Sequence, residues 1–262
     1  MVHIDTRGAF VYATLDAPAT RNALTDAMVA GLADAMRLAA SMPAVRALVI
    51  RGAGGSFCAG GDFGGFRAAM ATEAPRTGPD PIATGNRRFG ALLAQLRALP
   101  VASIAVVDGA AIGGGCGLAA ACDVVLAAAD ARFAMPEVTL GLPPAQIAPF
   151  VASRIGVART RRLSLTAHRF DGREAERIGL VDQACPDTAA LEAALSDVLA
   201  GIARCAPGAN AVTKRLILAS RLLPREELLD QSADAFAACL RGDEGREGVT
   251  AFREKRKAKW AQ

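Results

Sequence analysis

Histidine is scarce in this sequence, and the cysteine spacings that bind metals are missing. The 262 residues include two histidines, one of them His3 near the start. That number leaves little material for a histidine-built zinc site or a Ser-His-Asp triad. The six cysteines form no Cys-x-x-Cys pair and indicate small buried side chains in a reducing compartment. The sequence therefore predicts no metal site and a cytoplasmic location.

Long apolar runs and a strong excess of charge of one sign are also missing. No run reaches about 18 apolar residues without a proline or a glycine cluster, so no membrane helix is expected. The first residues, MVHIDTRGAF, lack a basic segment followed by an apolar core, and no signal peptide is expected. The net charge of +4 requires neither an anionic membrane nor nucleic acid as a partner, and neither is expected.

An alternation of strand and helix patterns fills the first part of the chain. Hydrophobic residues make up 52% and charged residues 21%, which is typical of a globular protein with a sizeable core. Strand candidates lie at Ala9–Asp16, Arg46–Arg51 and Ile104–Val107. Helical spacing of apolar residues follows a Thr25 N-cap and recurs over Asn86–Leu99. The pattern predicts an α/β fold with short, parallel strands.

Two departures from this alternation divide the chain. Ala68–Gly85 carries three prolines and little periodicity, and is predicted to be a mobile loop. After residue 187 the pattern is almost entirely helical, broken by Pro207-Gly208 and Pro224. We therefore predict an α/β core over residues 1–187 and a helical C-terminal region over residues 188–262.

Three stretches have the composition of a reactive site, and each has a plain structural alternative. Ser56–Asp62 is a glycine-rich turn that exposes backbone N–H groups, and it is equally explained as a structural turn. Gly113–Gly117 places such groups at a helix start, where they can hold negative charge, or allows close helix packing. Glu137 precedes the uncharged run Val138–Ser153, so it is either a partly desolvated acid/base or a surface glutamate.

Taken together, the order and spacing of these stretches resemble the crotonase superfamily, the enoyl-CoA hydratase/isomerase family. The matching stretches are Arg21-Asn22-Ala23-Leu24, Phe57–Asp62, Gly113–Cys116, Cys122-Asp123, Phe133-Ala134-Met135-Pro136-Glu137, Gly179-Leu180-Val181 and Phe252-Arg253-Glu254-Lys255-Arg256. The resemblance implies a spiral of repeated ββα units and a helical C-terminal region that builds trimers, usually paired into hexamers. It also implies an acyl-CoA thioester as substrate and no separate cofactor, because the substrate carries the coenzyme A.

The resemblance also assigns roles to individual residues. The N–H groups of Ala59 and Gly114 would form an oxyanion hole around the thioester carbonyl, and Glu137 would be the acid/base. The residues expected along the CoA thioester are Ala59, Gly60, Gly61, Asp62, Gly114, Phe252 and Lys255. Asp62 is expected to cap and shape its loop rather than react. Lys255 would meet the CoA nucleotide, often of a neighbouring subunit, although a solvated helix face is the alternative.

One position departs from the hydratases that use two glutamates. Their second glutamate directly follows the Gly-Gly-Gly-Cys motif, and here that position is Gly117. The leading prediction is a hydratase-type lyase that adds water to a 2-enoyl-CoA with Glu137 alone. The first alternative is a Δ3,Δ2-enoyl-CoA isomerase, which needs one base and which Ile147-Ala148-Pro149-Phe150 also resembles. A non-catalytic binder of acyl-CoA or RNA is the third.

Two stretches resemble a narrower subgroup, the isohexenylglutaconyl-CoA hydratases of acyclic terpene degradation. They are Gly141–Phe150 and Arg204–Asn210. Members of that subgroup hydrate a branched enoyl-CoA that carries a second carboxylate. On this hypothesis, the space beside Cys116 and Gly117 is expected to hold substrate or water rather than protein.

Overall fold

Two β-sheets of unequal size organise the first part of the chain. The computed structural model describes residues 1–71, 73 and 77–261. In these residues the strands are β1 (Val2–Arg7), β2 (Phe10–Leu15), β3 (Ala47–Gly52), β4 (Ala102–Val107), β5 (Ala110–Ile112), β6 (Val124–Ala128), β7 (Arg132–Ala134), β8 (Phe170–Asp171) and β9 (Gln183–Cys185). The larger sheet has the order β1-β2-β3-β4-β6-β9, and the smaller one β5-β7-β8.

The larger sheet is parallel apart from its first pair. Strand β1 runs antiparallel to β2, and every later neighbour is parallel. Burial on both faces explains the continuous apolar sequences, since all residues from Ala47 to Ile50 in β3 are buried. The prediction of an α/β fold is therefore confirmed.

Twice, the chain passes from the larger sheet to the smaller one before it returns through helices. Strand β4 of the larger sheet is followed by β5 of the smaller sheet, and β6 is followed in the same way by β7. Gly109 makes the first of these turns with φ of +80°, and a Cβ there would lie 2.8 Å from the Gly55 carbonyl carbon. These ββα units confirm the predicted crotonase-type spiral.

Helices cover both faces of the larger sheet. They are α1 (Asp26–Ser41), α2 (Phe63–Met70), α3 (Pro81–Arg97), α4 (Gly114–Ala121), α5 (Ala148–Ile155), α6 (Val157–Leu165), α7 (Gly172–Ile178), α8 (Thr188–Ala203), α9 (Pro207–Ala219), α10 (Arg225–Arg241) and α11 (Asp243–Arg253). The main core contains Leu32 of α1, Leu93 of α3, Leu118 of α4 and Val151 of α5. Helix α8 packs in a second cluster with other residues of the sheet.

Two helix starts test the sequence predictions. Thr25 is the N-cap of α1, as predicted, and its side chain accepts a hydrogen bond from the Met28 N–H at 3.2 Å. Helix α3 begins at Pro81, five residues before the predicted start at Asn86, because Asp80 accepts from the Ile82 N–H at 2.7 Å. The predicted loop Ala68–Gly85 is therefore helical at both ends, while residues 72 and 74–76 lie outside the described residues.

From residue 188 onward, every regular element that the structure describes is helical. Helices α9 and α10 have no buried side chain, and several of their large apolar side chains are exposed. These include Ile217, Leu229, Phe236 and Leu240. In the single chain, α9 and α10 therefore expose an apolar surface to solvent. The boundary between residues 187 and 188 stays a prediction. In the described part of the chain, no helix is long and apolar enough to cross a membrane.

Candidate active site

The two glycine-rich stretches meet beside β5. The Cys58 N–H donates to the Ala110 carbonyl at 2.8 Å, and the Ile112 N–H donates to the Cys58 carbonyl at 2.9 Å. Gly60 has φ of +94°, and a Cβ there would lie 2.7 Å from the Ile112 oxygen and 3.3 Å from the Gly114 nitrogen. Glycine is therefore required at position 60, where the backbone of the first stretch touches the start of α4.

A buried asparagine holds the first stretch in place. The Asn22 side-chain nitrogen donates to the Ser56 carbonyl at 2.7 Å and to the Ala53 carbonyl at 2.9 Å. Its side-chain oxygen accepts from the Ala17 N–H at 2.8 Å. Asn22 is fully buried, so its loss would leave unpaired backbone carbonyls. We therefore assign Asn22 to positioning the loop. The sequence places this residue in a motif of the family but predicts no role for it.

The backbone beside Asn22 also decides which N–H groups are free. The Ala59 N–H donates to the Arg21 carbonyl at 2.9 Å, and the Leu24 N–H donates to the Gly60 carbonyl at 2.8 Å. The first bond takes the Ala59 N–H out of its predicted oxyanion role, because a backbone N–H has one proton to donate. Among the described residues, the N–H groups of Gly61 and Gly114 donate to no protein acceptor.

Glu137 lies against the start of α4. It opens a 3-10 turn, Glu137–Leu140, that directly follows β7. A Cβ on Gly113 would lie 2.8 Å from Glu137 Oε1, and Gly113 has φ of +54°, so only glycine fits there. Glu137 Oε2 is buried and has no hydrogen-bond partner among the described residues. Burial raises the pKa of this carboxyl group above the ordinary glutamate value, which suits a group that takes and returns a proton.

Of the predicted CoA-contact residues, Asp62 has the clearest role. Its Oδ1 accepts from the Gly64 N–H at 3.0 Å and caps α2, as the sequence predicts, while its contact with CoA stays a prediction. Phe252 lies on α11 with 86% of its surface exposed, and Lys255 follows that helix with φ of +53°. In the part of the chain that the structure describes, no hydrogen bond or ion pair joins Lys255 to residues 59–62.

Comparison with known proteins identifies the family. The family model described as enoyl-CoA hydratase/isomerase matches residues 5–262. The chain belongs to this family. The structure of Pseudomonas aeruginosa AtuE superposes with a TM-score of 0.95 at 48% identity, covering 100% of this chain and 99% of that one. The 2,3-dehydroadipyl-CoA hydratase of Escherichia coli is 33% identical over 93% of this chain and 91% of its own length.

An isomerase is also among the relatives. The peroxisomal Delta(3,5)-Delta(2,4)-dienoyl-CoA isomerase of Arabidopsis thaliana is 30% identical, covering 100% of this chain and 96% of its own length. The predicted enzyme, an enoyl-CoA hydratase with an isomerase as the alternative, is thus confirmed at the level of the enoyl-CoA hydratase/isomerase family. Among the described residues, no group of three or more His, Cys, Asp or Glu side chains is placed to bind a metal ion.

Ile147 fills the position that a second glutamate takes in two-glutamate members of the family. A Cβ on Gly117 would lie 2.5 Å from Ile147 Cβ and closer still to its Cγ2. Ile147 is 4% exposed and leads directly into α5, which packs on α4. The expectation that substrate or water occupies this space is therefore wrong, because an apolar side chain closes it.

Replacing Gly117 by alanine is expected to destabilise the fold. The new methyl group meets the branched, rigid part of Ile147, and overpacking of this kind costs about 1–3 kcal/mol. Urea denaturation of Gly117→Ala measures the loss. The double variant Gly117→Ala with Ile147→Gly is the matched control and is compared with Ile147→Gly alone, because glycine removes both the Cβ and the Cγ2 atoms that collide. A single variant as stable as the original protein would show that Ile147 can move away.

Proposed function

We propose that this protein adds water across the double bond of a 2-enoyl-CoA thioester. The observation that carries the proposal is the Glu137 carboxylate, buried and unpartnered at Oε2, beside two backbone N–H groups that have no protein acceptor. A base next to an oxyanion-binding backbone is what addition to a conjugated thioester requires. No cofactor enters this reaction besides the CoA that the substrate carries.

The N–H groups of Gly61 and Gly114 take the oxyanion role in this proposal. The Gly114 nitrogen is the first of α4, where helix N–H groups lack intrahelical acceptors and favour negative charge. The Gly61 nitrogen is bonded to the carbonyl carbon of Gly60, the residue that touches Gly114. Negative charge develops on the thioester oxygen when water adds to the β-carbon. The hydrogen bonds from both N–H groups to this oxygen therefore become stronger as the reaction proceeds.

Glu137 carries the proton through both halves of the reaction. It accepts a proton from water while the water oxygen bonds to the β-carbon and the electron pair moves to the thioester oxygen. It then returns the proton to the α-carbon as the thioester carbonyl reforms. The carboxylate is unchanged at the end, so a second carboxylate is not needed for the atoms and charges to balance.

A branched acyl group with a second carboxylate is the substrate class that we propose. The stretches Gly141–Phe150 and Arg204–Asn210 support it through their resemblance to the isohexenylglutaconyl-CoA hydratases. The Escherichia coli relative is named for a dehydroadipyl-CoA, which also carries a second carboxyl group. Δ3,Δ2 isomerisation is the second candidate, because it needs a single base and Glu137 places its Oε1 beside Gly113.

Mass spectrometry of reaction products separates the two candidates. We expect the protein to convert a 2-enoyl-CoA into a product heavier by one water, with the highest kcat/KM for a glutaconyl-type thioester. An isomerase converts a 3-enoyl-CoA into a product of unchanged mass. The panel therefore contains 2-enoyl-, 3-enoyl- and glutaconyl-type CoA thioesters. No mass gain with any 2-enoyl-CoA contradicts the proposed hydration.

Assembly and CoA contact belong to the same proposal. The exposed Phe236 and Leu240 of α10 support a trimer or a dimer of trimers, since a single chain leaves them in water. In that assembly Phe252 and Lys255 would contact the CoA nucleotide of a neighbouring subunit. Light scattering in solution measures the particle mass. The buried free cysteines, among them Cys58 and Cys116, support a reducing, cytoplasmic compartment.

A further inference from the structure

An amide pair joins α3 to the segment before α5. The Gln146 side-chain nitrogen Nε2 donates to Asn86 Oδ1 at 3.0 Å. Gly90 lies one helical turn beyond Asn86, and a Cβ there would lie 2.7 Å from Gln146 Cδ and 3.3 Å from its Cγ. Glycine inside a helix costs roughly 0.5–1 kcal/mol relative to alanine, so its presence here needs a reason. The reason is that glycine at position 90 leaves room for the Gln146 amide.

The pair lies next to the proposed reaction centre. The ring of Phe89, which neighbours Gly90, lies 3.5 Å from a Cβ placed on Gly114. Asn86 precedes Phe89 by three residues, which is about 4.5 Å along the helix axis. Gln146 directly precedes Ile147, the side chain packed against Gly117. Phe89 and Ile147, which lie three residues and one residue from the pair, thus contact glycines of α4, the helix that starts at one of the proposed oxyanion donors.

The orientation of the two amides engages their oxygen atoms and leaves N–H groups without a protein acceptor. Gln146 Oε1 is the atom closest to a Cβ on Gly90, so it faces the helix, and Asn86 Oδ1 accepts from Gln146. Both N–H bonds of Asn86 Nδ2 and the second N–H of Gln146 Nε2 remain, and they are open to solvent, since Asn86 is exposed and Gln146 is half-buried. In the described residues, these groups donate to no other protein acceptor. A cluster of N–H donors without acceptors fits a carboxylate, which only accepts hydrogen bonds when ionised.

We propose that Asn86 and Gln146 form a subsite that binds the second carboxylate of the acyl group. The inference rests on the proposed function, because the thioester must first sit at Gly61 and Gly114. In a five-carbon dicarboxylic acyl group, the far carboxyl carbon is four bonds from the thioester carbon, about 5 Å when extended. That span is close to the roughly 4.5 Å of helix axis between Phe89 and Asn86. The pair thereby selects a dicarboxylic enoyl-CoA over a monocarboxylic one.

The test compares glutaconyl-CoA with its methyl ester, which has the same reacting double bond and no second charge. The readout is the ratio of the two kcat/KM values. Gln146→Glu and Asn86→Asp keep the side-chain size and replace N–H donors by a negative charge. Each is expected to lower the ratio by about 10–100-fold, the scale of a hydrogen bond to a charged group. Gln95→Glu, exposed on the same helix, is the matched control and is expected to keep the ratio.

Gly90→Ala tests the same subsite without adding charge. Its methyl group displaces the far end of the flexible Gln146 side chain, so the helix is expected to tolerate it while the amide pair is lost. The ratio should fall here as well. An unchanged ratio in both Asn86→Asp and Gln146→Glu, or in Gly90→Ala, overturns the subsite. A starting protein that hydrates neither thioester nor any other 2-enoyl-CoA overturns the proposed function instead.

Discussion

Replacing Glu137 by glutamine is expected to lower kcat by about 10²–10⁴-fold, the usual contribution of a positioned acid/base. The amide keeps the shape of the side chain and cannot take a proton from water, so KM should change little. Steady-state kinetics on the preferred 2-enoyl-CoA measures the effect. Glu226→Gln, on the exposed face of α10, is the matched control. Near-full activity of Glu137→Gln would place the base elsewhere.

The same variant is expected to be more stable than the original protein at neutral pH. Burial raises the pKa of Glu137, so ionising this group opposes folding once the pH exceeds the ordinary glutamate pKa. The destabilisation grows as the pH rises through the folded-state pKa, and glutamine avoids it. Below the ordinary glutamate pKa, the carboxyl is neutral in both states and the difference vanishes. Urea denaturation of both proteins, from below the ordinary glutamate pKa to neutral pH, measures the sign of this stability difference.

Replacing Gly114 by proline is expected to lower kcat/KM by about 10²–10³-fold relative to Gly114→Ala, the usual effect of losing one oxyanion donor. Proline removes the N–H, and alanine retains it. Both variants place a Cβ 2.6 Å from the Leu24 Cδ1 atom, so this contact cancels in the comparison, and the lost N–H with the proline ring that replaces it is what differs. Gly114 is the first residue of α4, a position where proline is well tolerated.

Circular dichroism of both Gly114 variants provides the folding control. If both fold and the proline variant is as active as the alanine variant, the Gly114 N–H does not bind the thioester oxygen. If both variants lose activity equally, contact with Leu24 and not the N–H accounts for the loss. The proposed mechanism requires a clear difference between the two.

The sequence by itself determined the features that depend on residues close together in the chain. The N-cap at Thr25 follows from local hydrogen bonding, and the buried strand Arg46–Arg51 follows from its apolar run; both occur in the structure. Glu137 and the glycines at the start of α4 are recognisable because each lies in a short, distinctive motif. The sequence does not predict the start of α3 at Pro81, because a proline can either break a helix or stand as its first residue.

Only the tertiary structure decided which groups at the site are free. The Ala59 N–H is occupied by the Arg21 carbonyl, 38 residues earlier in the chain, and no local pattern specifies that bond. The packing of α5 on α4 places Ile147 against Gly117, which closes a space that the sequence alone left open. Such contacts join segments that are distant in the chain, and their geometry is set by how helices and sheets pack. Local propensity carries no information about that packing.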